Sequence, residues 1–217
     1  MCLPLFSPCV TRSHPCCHKA NRSVNPERPQ RLVSKSVSYR ISGNRLFESN
    51  LFLPALDAYN LALSSCPTYL ADDIAVIHAN IAAVELKLQH FPEAVKAATK
   101  ALEGRPGWLK ALYRRARAQE GVGSWASLQA ALEDYKTLAQ AEGADGMRGR
   151  EMEIVREKLT WLPRRIEESK ERETAEVLAK LKEMGDGLLR PFGLSTQNFG
   201  MVQDANGGYS VQFRGSQ

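Results

Sequence analysis

Ala55, Tyr59, Ala62 and Pro67 stand at intervals of four, three and five residues, and Ala94, Ala98, Ala101 and Pro106 repeat those intervals. A third set, Ala131, Tyr135, Leu138 and Gly143, keeps the spacing with leucine and glycine in its last two places. Small residues three or four apart share one helix face and let a second helix approach closely. The aromatic fills the gap above them, and proline stops the helix. Upstream of each set runs another helical stretch marked by a small residue: Gly43, Ala82 or Ala116. Any antiparallel bundle with alanine seams shares part of this pattern, but not the agreement between proline phase and alanine phase. The chain is therefore predicted to be all-α, built on three helical hairpins over residues 36–143, each burying one face against its neighbour.

These residues resemble the tetratricopeptide repeat, a unit of about 34 residues with small, Ala, aromatic, Ala and Pro positions in this order. Counted from Ser36, the first copy matches at Gly43, Ala55, Tyr59, Ala62 and Pro67. The resemblance implies a right-handed superhelix. The second copy begins late, so the link Thr68 to Ile74 is lengthened, and the third carries extra residues near Ser124 to Ala126. Both changes are expected in turns, where they are tolerated.

Charge is unevenly placed. The chain of 217 residues has a formal charge of +5, but residues 1–35 hold six Lys or Arg and one acid, and the rest holds 23 of each sign. The folded body is thus neutral, which removes the argument for a nucleic-acid partner from global charge. Five of the 11 prolines also fall in residues 1–35, and the segment is expected to be disordered or a targeting sequence. It lacks the apolar core of a secretory signal. Cys2, Cys9, Cys16 and Cys17 lie there beside His14 and His18. Adjacent cysteines are poorly placed to share one tetrahedral ion, so no metal site is expected. No apolar run approaches the roughly 18 residues that cross a membrane, and no membrane insertion is expected.

Periodicity predicts helices from Ser38, from Ala55 to Ser65 with Pro54 in the first turn, from Asp72 or Asp73 to about Leu88, and from Pro92 onward. A further pair is predicted over 107–121 and 127–140. Residues 147–190 read as capping or extended helices. Ile154, Val155, Leu159 and Leu162 precede Pro163, and Ile166, Val177, Leu178, Leu181, Met184 and Leu188 follow it. Capping within the chain is preferred over a dimer zipper, because fewer than two clear heptads are present. In residues 191–217, Tyr209, Val211 and Phe213 alternate with polar residues after Asn206-Gly207, which predicts a short β-hairpin over 199–213. Leu188, Leu189, Phe192, Leu194 and Phe199 are expected to be buried.

The stretch KLKEMGDGLLRPFGLSTQNF at 180–199, together with the repeats, resembles the tetratricopeptide repeat protein 1 family. That resemblance implies a cytoplasmic adaptor that joins heat-shock chaperones of the ninety and seventy kilodalton classes to other proteins, G proteins among them. Organelle targeting through the basic amino-terminal segment is the alternative. A monomer without cofactors is expected.

Arg40, Asn44, Asn80, Lys110 and Arg114 stand at positions that line the inner surface of such a superhelix. Arg40 and Asn44 are four apart, as are Lys110 and Arg114, so each pair shares a helix face. The set resembles the dicarboxylate clamp of chaperone adaptors, which holds the terminal Asp of a tail ending in Glu-Glu-Val-Asp. The resemblance implies that Arg40, Lys110 and Arg114 donate charge-assisted bonds to the two carboxylates and that the asparagines donate neutral ones. Arg40 replaces the family's lysine, keeping the charge on a longer planar head. Recognition of a different protein partner in the same groove, such as a G protein, or a role as an organellar import factor, is the alternative reading. Arg115 is expected one position off the groove.

No nucleophile, acid-base pair or metal motif points to an enzyme. Gly143 to Gly149 has glycines without the Lys-Ser/Thr of a phosphate loop, and His78 reads as a packing residue. RNA binding would need stacking aromatics on a basic face, and the aromatics here are taken up by hairpin packing.

Overall fold

The computed structural model describes residues 27–141, 149–192, 195–196, 199–203 and 209–213. Seven α-helices are found among them: α1 Glu27–Glu48, α2 Phe52–Ser65, α3 Ala71–Lys87, α4 Phe91–Gly104, α5 Leu109–Val122, α6 Trp125–Gln140 and α7 Arg150–Leu189. A 3-10 turn, Arg190–Phe192, follows, and then strands β1 Phe199–Gln203 and β2 Tyr209–Phe213. Helices α1 to α6 pair as three hairpins, each packed on the next, and α7 packs on α6.

The alanine seams are where the intervals put them. Ala55, Ala62, Ala94, Ala98, Ala101 and Ala131 are fully buried, and so are the small partners Ala82 and Ala116 on the facing helices. Gly43 takes the smallest form of that contact: a Cβ there would stand 2.7 Å from the Tyr59 ring. Tyr59 itself is 2% exposed, so the ring has nowhere to retreat.

Left-handed residues make the turn inside each hairpin. Asn50 (φ 59°) ends α1, Gln89 (φ 62°) ends α3 and Gly123 (φ 72°) ends α5. At Asn50 the backbone closes a Schellman motif, with Leu51 N–H donating to Leu46 O at 2.9 Å and Asn50 N–H to Phe47 O at 3.0 Å. His90 N–H to Glu85 O at 2.9 Å does the same at Gln89. After Gly123, the Ser124 hydroxyl caps α6 by accepting from Ser127 N–H at 3.2 Å. Trp125 and Ala126 lie inside α6, so the extra residues of the third copy fall in a helical first turn and not in the connecting turn.

Two helices differ most from expectation. Helix α1 starts at Glu27, so residues 27–35, read as part of an unstructured segment, are helical. Pro29 falls in the first turn, where no intrahelical N–H partner is lost. Val33 and Val37, four apart, are half-buried there and face the turn after α2. Helix α7 is one rod of 40 residues that passes through Pro163. Proline removes one backbone bond there, and strong helix formers on both sides carry the helix past an exposed site.

Helix α7 is a cap for half its length. Met152, Val155, Leu162 and Ile166 are buried with Leu128, Tyr135 and Leu138 in the last core cluster, and Ser169 is buried beyond them. Glu120 fastens the two together: it accepts from Lys158 Nζ at 2.6 Å and from the Tyr135 hydroxyl at 3.1 Å, with Arg165 at 3.8 Å. Beyond Ser169 the apolar stripe continues through Val177, Leu181, Met184 and Leu188, which are 54–75% exposed. Leu188, expected inside, is the most exposed of them at 75%, because the helix has run past the body that its first half covers. The chain then turns back on the helix: Asp186 accepts from Thr196 N–H at 2.5 Å and from the Ser195 hydroxyl at 2.9 Å. The strands pair antiparallel with Phe199 opposite Phe213 and Met201 opposite Val211, the hairpin that the alternation predicts. Asn206-Gly207, Gly143, Leu194 and the Cys and His residues of the first 18 positions lie outside the described residues.

Candidate functional site

Helices α1, α3 and α5 are the first members of their hairpins, and the expected site residues sit on them. Asn44 of α1 and Asn80 of α3 meet: Asn80 Nδ2 donates to Asn44 Oδ1 at 3.3 Å, and the Tyr59 hydroxyl of α2 donates to the same oxygen at 2.8 Å. Arg114 of α5 reaches across to α3, its Nη1 donating to the carbonyl of Ala79 at 2.6 Å, one residue from Asn80. Burial lowers the Arg114 pKa, and the neighbouring Tyr59 and Glu151 oppose that shift. The same guanidinium, with Arg40, opposes the larger effect of burial on Tyr59, whose pKa stays above its ordinary value. Asn44, Asn80 and Arg114 are therefore one cluster, with Tyr59 beneath it.

Lys110 and Arg114 line a cavity of about 350 Å³ together with Phe47, Ala83, Leu86, Lys87, Tyr113, Arg117 and Glu151. Four cations and one carboxylate line it, so an anion entering it meets a positive field. Arg40 is elsewhere: it lines a narrow crevice with Val33, Ser36, Val37, Cys66, Leu70, Asp73 and Ile77. Asp73 is an acid on the same crevice. Four of the five expected residues thus meet in two touching places, and Arg40 lines a separate crevice while its charge still acts on Tyr59 beneath the cluster.

Lys87, Arg117, Tyr113 and Glu151 were not anticipated. For Arg117 a signal was present, since Lys110, Arg114 and Arg117 follow the spacing of four and three that marks one helix face. Its guanidinium lies 5.8 Å from the centre of the Tyr113 ring, a cation–π contact that holds the charge at the cavity wall. Glu151, from the first turn of α7, comes from a helix outside the repeat pattern. Arg115 is off the groove, as its position implies, but it is not a solvated side chain: it pairs with Asp134 of α6. His78 is half-buried, with its pKa lowered first by burial and then by Lys100, which fits a packing role. Among the described residues no group of three or more His, Cys, Asp or Glu could hold a metal ion, and no helix is long and apolar enough to cross a membrane.

Known proteins share this frame. No protein-family model matches the chain. Human mitochondrial import receptor subunit TOM70 is 31% identical over 126 residues, which is 56% of this chain and 20% of that protein. The chain spans about a fifth of the length of this curated relative. Among solved structures, the TPR2B domain of yeast Sti1, solved in its pHsp70 complex, is 31% identical with a TM-score of 0.50, covering 58% of this chain and 97% of that one. The TPR2AB domain of yeast Sti1 in its pHSP90 complex is 30% identical with a TM-score of 0.50, over 62% of this chain and 50% of that one. With a solved relative matched over nearly its whole length, and with the repeat intervals and stacked hairpins in agreement with it, the chain belongs to the tetratricopeptide repeat family.

Proposed function

We propose that the groove binds the carboxyl terminus of an acidic chaperone tail of the Glu-Glu-Val-Asp kind, making the protein an adaptor for chaperones of the ninety or seventy kilodalton class. A terminal Asp carries two carboxylates close together, and few surfaces offer matched donors for both. Lys110 and Arg114 supply charge-assisted bonds, Asn44 and Asn80 supply neutral ones, and Arg40 adds charge from its crevice. The observation that carries this reading is the bond from Arg114 to the Ala79 carbonyl, which pins the guanidinium beside Asn80 before any ligand arrives. A cation already held in place loses less freedom on binding. The likeness to the two Sti1 domains, solved in complexes with pHsp70 and pHSP90, supports the same partner class. A role at an organelle surface has the likeness to TOM70 behind it.

Calorimetric titration with a tail peptide, as free acid and as carboxyl-terminal amide, is the test. The free acid is expected to bind with a Kd on the order of micromolar, more weakly as salt rises. Lys110→Ala and Arg114→Ala should each weaken it about tenfold or more. Equal binding of the amide would mean that no dicarboxylate is being read.

A further inference from the structure

Three helices meet on one oxygen. Asn44 Oδ1 accepts the Tyr59 hydroxyl at 2.8 Å and the Asn80 amide at 3.3 Å, and an amide oxygen has two acceptor lone pairs, so both are filled. Turning the Asn44 amide over would set its NH₂ against the NH₂ of Asn80, donor against donor. With the Asn80 amide donating as it does, the Tyr59 and Asn80 bonds are both accepted in one orientation of Asn44. In that orientation Nδ2 is the end of Asn44 left for a ligand, and among the described residues no protein group accepts from it.

We infer that Tyr59 is a positioning residue for the groove: its hydroxyl, with the Asn80 amide, holds Asn44 so that a donor and not an acceptor faces the bound carboxylate. The inference rests on the groove being a carboxylate site and adds to it the origin of its polarity. Were Asn44 free to rotate, its oxygen would face the ligand part of the time, and oxygen opposite carboxylate is repulsive. The tyrosine is well placed for this. Its ring lies over Gly43 and is 2% exposed, so the hydroxyl is delivered from a fixed direction. Burial raises its pKa, which keeps the phenol protonated and able to donate. The packing aromatic of the repeat is thus put to a second use, as Tyr135 is in the third copy, where the hydroxyl donates to Glu120 at 3.1 Å.

Tyr59→Phe keeps the ring and removes the hydroxyl. Thermal melting should confirm that the variant is folded, and the side-chain amide resonances of Asn44 and Asn80 should shift together. Binding of the free-acid tail peptide should weaken about fivefold, the scale of one neutral hydrogen bond. In an Asn44→Ala background the same change should have no further effect, because the group being oriented is gone; a merely structural tyrosine would still matter there. A wild-type protein that binds the peptide, with Tyr59→Phe binding equally well, overturns the role of Tyr59 alone. Independent, multiplying losses for Tyr59→Phe and Asn44→Ala overturn it too. A wild type that fails to bind removes the carboxylate reading and this role with it.

Discussion

Arg115 donates through Nε and Nη2 to the two carboxylate oxygens of Asp134 at 2.8 and 2.7 Å, joining α5 to α6 across the back of the third hairpin. Asp134 is 6% exposed. The hydrogen bonds to Asp134 raise the Arg115 pKa against the opposing effect of burial. Arg115→Ala should therefore cost stability, about 2–3 kcal/mol, by leaving a buried carboxylate without its fork. Denaturant unfolding measures it. Peptide affinity of the folded variant should be close to that of the parent, in contrast to Arg114→Ala one residue away.

Gln89 is a long side chain in a left-handed backbone position that glycine occupies in the third hairpin. Gln89→Gly should stabilise the second hairpin by about 0.5–1 kcal/mol, since the Schellman bonds around it are made by the backbone and survive the change. A rise in Tm is the readout, and a fall would mean that the glutamine side chain holds something the backbone does not.

Among the described residues, Glu151 is the one acid on the cavity wall shared by Lys87, Lys110, Arg114 and Arg117. It opposes the lowering of the Arg114 pKa, so it lies near enough to offset part of the field that an acidic ligand meets. Glu151→Gln should tighten binding of the free-acid tail peptide about two- to fivefold at low salt, with the gain shrinking as ionic strength rises. Unchanged affinity at low salt would show that the ligand stays clear of the α7 end of the cavity.

Every buried residue of α7 lies at or before Ser169, and Glu173 makes a last contact by accepting from Trp125 N–H at 2.6 Å. A chain ending at residue 175 should melt within a few degrees of the full-length protein. Capping, on this view, ends where burial ends. A large drop in Tm would assign the exposed stripe a partner in the body.

Asp186 receives bonds from Thr196 and Ser195, and these hold its pKa below the usual carboxylate range. The folded pKa is depressed, so the tether is at full strength above the unfolded value of about 4 and is lost as pH falls through the folded one. The protection factor of the Thr196 amide, its exchange rate corrected for the intrinsic pH dependence, should fall in that acid window and hold at neutral pH. Asp186→Asn should lower the protection at neutral pH as well.

How much of this was legible in the sequence depends on the range of the interaction. The hairpins and their seams came through because Ala55, Tyr59 and Ala62 act at intervals of three and four, where periodicity is direct evidence. The start of α1 was hidden by composition: proline and charge in 27–35 outweighed Val33 and Val37, although Pro29 does no harm in a first turn. The continuous α7 was hidden by Pro163 for a similar reason, a local penalty judged without the 40 residues that outvote it. Lys110 and Arg114, read from their places in the repeat, line one cavity because residues four apart share a helix face. The pairing of Arg115 with Asp134 spans 19 residues and two helices, and Glu151 enters from a helix beyond the repeats. No local pattern encodes either. Arg40 shows the limit from the other side, since its position in the repeat was readable and the crevice it lines beside Asp73 was not.

The exposed half of α7, residues 170–189, is a spoke about 30 Å long at 1.5 Å per residue. Its geometry ties whatever follows Leu189 to the groove by phase as well as distance. Removing seven residues would draw the far end in by about 10 Å and turn it by only about 20°. Removing five would shorten it less, yet swing the far end about 140° around the helix axis. The bearing of the far end relative to the groove is thus written in the number of residues between Ser169 and Leu189, independently of their identity.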